Sequence, residues 1–227
     1  MQTSETQTEK KKLIYSMLFP ALLVAIMWLI KLSETLLETR FVHFGNYPMK
    51  WEHLGGIITS PFIHGDYDHL LSNTFPFLIL GTALFYFYRQ HALKILLFLF
   101  VFSGLFVWLT ARPSFHIGAS GVVYGLASFL IFSGFLHNNK ELTSIAFIVV
   151  FIYGSMVWGV LPGREGISWE GHLSGLLSGF LGALFFSKKI ADTQQKTIQY
   201  GYYDYGEINL SDDDYTSIEY HYKNEDE

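Results

Sequence analysis

Three short polar clusters interrupt apolar stretches of this chain, and their side chains are of the kinds that carry out acyl transfer. Ser120 lies in the sequence Gly-Ala-Ser-Gly at 118–121, and His172 lies at the start of a second apolar stretch. His69 and Asn73 begin a third. A serine becomes a nucleophile when a histidine takes its proton, and hydrogen-bond donors stabilise the oxyanion that forms. The clusters therefore predict a nucleophile, a base and an oxyanion site.

Glycine spacing indicates how the base could reach the serine. Small residues recur every four positions in both segments: Gly121 and Gly125 in one, and Gly171, Gly175 and Gly179 in the other. This is the small-xxx-small pattern of closely paired membrane helices. His172 lies three residues before Gly175 and so shares its helical face. The alternative is that Ser120 and these glycines serve only helix packing.

The polar pair His69 and Asn73 is four residues apart and therefore on one helical face. Both side chains can donate hydrogen bonds to an oxyanion, and the backbone N–H of Ser120, at a helix start, is a further candidate donor. The alternative is that the pair forms structural hydrogen bonds between helices. Both roles are compatible.

Supporting roles are predicted for residues near these clusters. His64, five residues before His69, is expected to brace a loop by hydrogen bonding. Tyr124, one turn after Ser120, could pack against the imidazole of the base or simply fill space in its helix. No carboxylate is evidently placed to orient His172, which favours a Ser–His dyad over a triad.

The elements that must position these groups are apolar and long. The chain of 227 residues is 50% hydrophobic and only 15% charged, against about 25% charged residues in typical soluble proteins. Segments of about the 20 residues needed to cross a bilayer are predicted at 13–31, 70–88, 92–110, 117–136, 142–161 and 169–187. The fold class predicted is an all-α membrane protein, a bundle of six transmembrane helices.

The two ends of the chain differ in character from this bundle. Residues 1–12 form a short N-terminal segment that carries three consecutive lysines, and 13–187 form the predicted six-helix domain. Residues 188–227 hold ten acidic residues against four lysines and are rich in tyrosine, which predicts a disordered tail. No basic stripe is present, so nucleic acid is not an expected partner. The absence of cysteine excludes disulfides and thiolate chemistry.

Lysine and arginine predict the orientation. Positive residues flank cytoplasmic ends of membrane helices, and one set of loops here carries most of them: Lys10, Lys11, Lys12, Arg89, Lys94, Lys140, Lys188 and Lys189. Both termini are then cytoplasmic. The second, fourth and sixth spans all start at the outer face, so their polar clusters are expected to share one shallow layer on the extracytoplasmic side.

These residues resemble the motifs of the rhomboid intramembrane serine proteases. The run Gly-Ala-Ser-Gly-Val-Val-Tyr-Gly at 118–125 is similar to the family's G-x-S-G motif with its following tyrosine. His69 to Asn73 resembles the H-x-x-x-N of the second helix, with His64 as the upstream histidine. The sequence from Gly171 to Gly179 resembles the motif of the last core helix. The chain resembles the minimal, six-helix bacterial form of the family.

The resemblance implies a function as well as a fold. It implies Ser120 as nucleophile, His172 as general base, and an oxyanion hole from His69, Asn73 and the Ser120 amide. Gly118 would be the motif glycine ahead of the nucleophile. The substrates would be transmembrane helices cut near the extracytoplasmic face, with no cofactor. The expected location is the bilayer of a bacterial plasma membrane.

The same residues allow two other functions. A rhomboid-like protein without catalysis could bind membrane clients, although such proteins typically lack the serine or the histidine that this chain retains. A metal site could be built from His64, His69, His172 and Asp66, but the H-E-x-x-H signature is absent.

Overall fold

The computed structural model describes residues 2–152, 159–161 and 168–205, and this part of the chain is helical. Its α-helices are α1 (Gln2–Leu36), α2 (Gly56–Thr59), α3 (Tyr67–Phe87), α4 (Ala92–Thr110), α5 (Ser120–Leu136), α6 (Lys140–Ile152) and α7 (Trp169–Tyr205). Three 3-10 turns lie between α1 and α3, at Val42–Phe44, Trp51–His53 and Ser60–Phe62. The described residues contain no β-strand, only one isolated bridge between Asn46 and His116. The predicted all-α class is confirmed.

Several helices are long and apolar enough to cross a membrane. Within the described residues, four qualify by length and composition: Glu9–Leu36, Tyr67–Phe87, Ala92–Thr110 and Trp169–Ala191. Helix α5 is apolar but shorter, and the predicted span 142–161 lies partly outside the described residues. Large apolar side chains on the outside of these helices, such as Leu22, Phe75 and Leu97, are about half exposed. Such surfaces suit lipid, and the chain is a multi-pass membrane protein.

Two compact units make up the chain, Met1–Ile190 and Ala191–Glu227. The core of the first unit lies where α3, α4 and α5 meet. Its largest fully buried side chains include Phe77, Leu80, Leu84, Leu99, Phe129 and Leu130. Helix α1 packs on α3: the Trp28 indole donates a 3.0 Å hydrogen bond to Thr74, and a Cβ on Gly81 would lie 3.0 Å from the Pro20 ring.

Helices α5 and α7 approach each other so closely that glycine is required at the contact. A Cβ on Gly175 would collide with the backbone carbonyl oxygen of Gly121, and a Cβ on Gly179 would collide with that of Gly125. The Ser128 hydroxyl also donates a 2.8 Å hydrogen bond across the interface to the Leu176 carbonyl. The close pairing predicted from the glycine spacing is confirmed.

The segment between α1 and α3 is held at both of its ends. At the end of α1, Lys31 donates to the carbonyls of His64 and Gly65 at 3.1 and 3.0 Å, and it pairs with the buried Glu34 at 3.0 Å. Nearer the start of the segment, Asn46 donates through its side chain to the Gly104 carbonyl of α4 at 2.7 Å. The segment is therefore attached to α1 and α4 by specific polar contacts.

Helix α7 continues to Tyr205 and so includes the first part of the predicted tail, residues 188–205. This stretch contains no proline, and its three lysines, three glutamines and one alanine favour helix. It also follows a helix that already exists, so its extension needs no new nucleation. Residues 206–227 lie outside the described part of the chain, and for them the disorder stays a prediction.

Candidate active site

Ser120 and His172 form a hydrogen-bonded pair. Ser120 is the first residue of α5, and His172 lies in the first turn of α7. The Ser120 hydroxyl oxygen is 2.9 Å from Nε2 of His172. The pair results from the glycine contact between the two helices, which brings their N-terminal ends together. Ser120 is half-buried and His172 is 9% exposed, so the imidazole is largely shielded from solvent.

The hydrogen-bond partner of the other ring nitrogen, Nδ1, determines the tautomer of His172. Nδ1 lies 2.7 Å from the backbone carbonyl oxygen of Gly159, and a carbonyl can only accept. In the neutral ring Nδ1 therefore carries the hydrogen, and Nε2 is left to accept from the Ser120 hydroxyl. This is the form that a general base requires. No sequence motif indicates this carbonyl, because its position depends on how the chain before α7 folds.

Tyr124 stacks on the His172 ring, with centroids 4.2 Å apart and planes inclined by 9°. The packing predicted from its position one turn after Ser120 is observed. Glu170 points elsewhere, as expected: its carboxylate lies 3.4 Å from Arg112. A carbonyl and an aromatic face, rather than a carboxylate, thus fix the imidazole.

The predicted oxyanion donors lie around the residues that precede Ser120. Asn73 is buried, and its amide donates one hydrogen to the His69 carbonyl at 2.9 Å. The amide has a second hydrogen that this bond does not use. The backbone N–H of Ser120 belongs to the first turn of α5, where helical bonding leaves donors unsatisfied.

Gly118 allows the His69 ring to lie close to the start of α5. Its φ of +106° is a conformation that side chains disfavour, and a Cβ there would lie 2.6 Å from the His69 ring. The ring therefore packs directly against the backbone two residues before Ser120. Asp66 caps α3 by accepting the His69 backbone N–H at 2.7 Å, which fixes the start of the helix that carries His69 and Asn73.

His64 braces the backbone next to Ser120. Its Nε2 accepts the Ala119 N–H at 3.4 Å, and its ring meets the His69 ring edge-on at a centroid distance of 5.1 Å. His64 is 1% exposed. Burial, reinforced by the nearby His69, lowers the pKa of His64 from 6.5 to about 3. The ring therefore stays neutral and can act as an acceptor at physiological pH.

A small cavity of about 30 Å³ opens beside Ser120. Polar side chains from distant parts of the chain contribute to its lining: Asn46, Ser60, Ser103, His116 and Ser168. None of these was predicted as a site residue, because no short motif contains them. Among the residues that the structure describes, no group of three or more His, Cys, Asp or Glu side chains is arranged to hold a metal ion.

The fold and the site together define a class: a multi-pass helical membrane protein with a hydrogen-bonded serine and histidine at the starts of two paired helices. Residues 47–189 match the family model of the rhomboid domain. An uncharacterized protein of Mycobacterium tuberculosis is 33% identical over 174 residues, which cover 72% of each chain. RHOMBOID-like protein 4 of Arabidopsis thaliana is 28% identical over 133 residues, 55% of this chain and 32% of that one. The chain belongs to the rhomboid family.

Proposed function

We propose that this protein is an intramembrane serine endopeptidase that cuts transmembrane-helix substrates near the extracytoplasmic face. The observation that carries the proposal is the 2.9 Å contact between the Ser120 hydroxyl and His172 Nε2. Family membership supports the same reaction class. No cofactor enters the proposal.

The reaction proceeds by acyl transfer. His172 takes the Ser120 proton as the oxygen attacks the scissile carbonyl, and a tetrahedral oxyanion forms. Asn73, His69 and the Ser120 N–H stabilise that oxyanion. The imidazolium then gives its proton to the leaving amine, which leaves an acyl-enzyme. Water attacks the acyl carbon with His172 again as base, and Ser120 is regenerated.

The proposed setting is a bacterial plasma membrane crossed six times, with both termini in the cytoplasm. Support comes from the lysines that flank the predicted inner ends of the spans. The starts of α3, α5 and α7 would then face the extracytoplasmic side. The scissile bond would accordingly lie near the outer surface of the bilayer.

Alanine substitution tests the dyad in a cleavage assay with purified protein, liposomes and a panel of single transmembrane helices. We expect Ser120→Ala and His172→Ala each to abolish turnover, and an activated fluorophosphonate to label wild-type protein but not Ser120→Ala. Wild-type turnover in either variant would refute the dyad. Labelling of Ser120 with no cleavage of any helix would instead favour a protein that binds membrane clients without cutting them.

A further inference from the structure

A second serine–histidine contact lies close to the first and connects the segments that lead into the same two helices. His116 is four residues before Ser120, and Ser168 is four residues before His172. The Ser168 hydroxyl oxygen is 2.6 Å from Nδ1 of His116. His116 is 5% exposed, and both residues line the cavity beside Ser120.

The partners of His116 assign the direction of the hydrogen bond. Its Nε2 lies 3.0 Å from the Arg112 carbonyl oxygen, so this nitrogen carries the hydrogen of the neutral ring. Nδ1 is then an acceptor and receives the Ser168 O–H. Burial lowers the pKa of His116, which keeps the ring in this neutral form. The charged groups around it are the Glu170 carboxylate and the Arg112 guanidinium, which pair with each other.

Ser168 also forms a hydrogen bond with the helix that carries His172. Its hydroxyl oxygen accepts the backbone N–H of Gly171 at 3.1 Å, three residues along, as an N-cap serine does. Gly171 immediately precedes His172. One hydroxyl therefore binds the His116 ring and caps the first turn of α7.

His116 is itself held firmly on its other side. Its backbone forms both hydrogen bonds of the isolated bridge with Asn46, at 2.8 and 3.0 Å. The Asn46 side chain in turn donates to the Gly104 carbonyl of α4 at 2.7 Å. The His116 ring thus projects from a fixed backbone toward α7.

We propose that His116 and Ser168 are positioning residues, which set the start of α7 relative to α5 so that His172 meets Ser120 in bonding geometry. Neither residue touches the scissile bond. This inference rests on the proposed function, since its purpose is the alignment of the nucleophile and its base. A displacement of about 1 Å between such groups can cost on the order of 100-fold in rate.

The test compares His116→Phe, Ser168→Ala and the double variant, each as the full chain in liposomes. The readouts are the rate of Ser120 labelling by the fluorophosphonate, and kcat and KM for a cleaved helix, both normalised to the amount of labelled protein. We expect each single variant to lower the labelling rate and kcat by about 10- to 100-fold with KM unchanged. The double variant should lose no more than one single variant, because both remove the same contact.

Conservative variants distinguish positioning from general destabilisation. His116→Asn keeps an acceptor near the Nδ1 position and Ser168→Thr keeps the hydroxyl, so both should recover most of the rate. The matched control is Ser114→Ala, which removes a hydroxyl 3.3 Å from Nε2 of the same ring but no contact with α7. Its rates should equal those of wild type.

The outcomes separate this inference from the proposed function. Wild-type rates in Ser168→Ala, additive losses in the double variant, or failure of both conservative variants to recover the rate would overturn the positioning role while leaving the dyad intact. If wild-type protein is labelled but cuts no helix, the protease proposal fails and the labelling rates still decide the positioning role. A wild-type protein without any labelling would overturn both.

Discussion

At the scale of single residues, the environment of His172 replaces the carboxylate of a triad with two uncharged contacts. The Gly159 carbonyl fixes the hydrogen on Nδ1, and Tyr124 holds the ring plane by stacking. A buried carboxylate beside the imidazole would need its own compensation for desolvation in a membrane domain. A carbonyl orients the ring without adding a charge. The arrangement gives a physical reason why a dyad would suffice for the proposed reaction.

Also at the residue scale, protonation of His64 makes the stability of the folded protein depend on pH. Its pKa falls from 6.5 to about 3 on burial, so the folded protein binds fewer protons than the unfolded chain below pH 6.5. The contribution of neutral His64 to the free energy of unfolding is complete above pH 6.5 and is lost as the pH falls toward 3. By pH 4.5 the loss from this one group is about 3 kcal/mol.

We therefore expect the thermal midpoint of wild-type protein in detergent to fall more steeply between pH 7 and 4.5 than that of His64→Gln. Glutamine can still accept the Ala119 N–H but does not titrate. His116 also has a lowered pKa and remains in both proteins, so the difference between the two curves reports His64. Parallel curves for the two proteins would contradict the prediction.

At the scale of elements, the proposed active site depends on how closely α5 and α7 approach. We predict that Gly175→Ala lowers the Ser120 labelling rate by at least about 100-fold, because the new methyl group collides with the Gly121 carbonyl and forces the helices apart. The matched control is Gly182→Ala on the same helix, where the nearest atoms, in the Phe98 ring, lie 3.3 Å from the added Cβ. Its labelling rate should stay within a few-fold of wild type, and equal rates for both variants would contradict the prediction.

Helix positions followed well from hydropathy, and the contacts between helices followed only in part. The predicted 92–110 coincides with α4, and 70–88 lies within three residues of α3 at each end. Helix α5 begins at Ser120 rather than 117 because Gly118 has a positive φ. A run of apolar residues cannot show such a turn.

The contacts at the site could likewise be predicted from the sequence only in part. Ser120 and His172 could be paired from sequence because glycine spacing encodes the contact of their helices. His116 and Ser168 could not, since each lies in a loop or at a helix start and their contact joins residues 52 positions apart. The one available signal was Ser168 itself, a serine in an N-cap position before an apolar helix.

At the scale of the whole molecule, the polar clusters share one end of the bundle. His69 of α3 packs on Gly118 just before α5, and Ser120 of α5 bonds to His172 of α7. The three helices therefore begin together and run in the same direction. The segment between α1 and α3 joins this end through Ser60, whose carbonyl accepts the Gly118 N–H at 2.9 Å. The lysine distribution predicts that this end faces the extracytoplasmic side.

Single cysteines can test that orientation cleanly, because the chain has none of its own. Glu52 lies in the segment at the active-site end, and Gln90 lies in the turn between α3 and α4 at the other end; both are exposed. If the lysine distribution sets the topology, a membrane-impermeant maleimide should modify Glu52→Cys in cells whose plasma membrane is intact, and Gln90→Cys only after that membrane is opened. The cysteine-free parent provides the background. The reverse pattern would indicate the opposite topology and place the proposed cleavage at the cytoplasmic face. Labelling of both cysteines in intact cells would contradict the separation of these two ends by the bilayer.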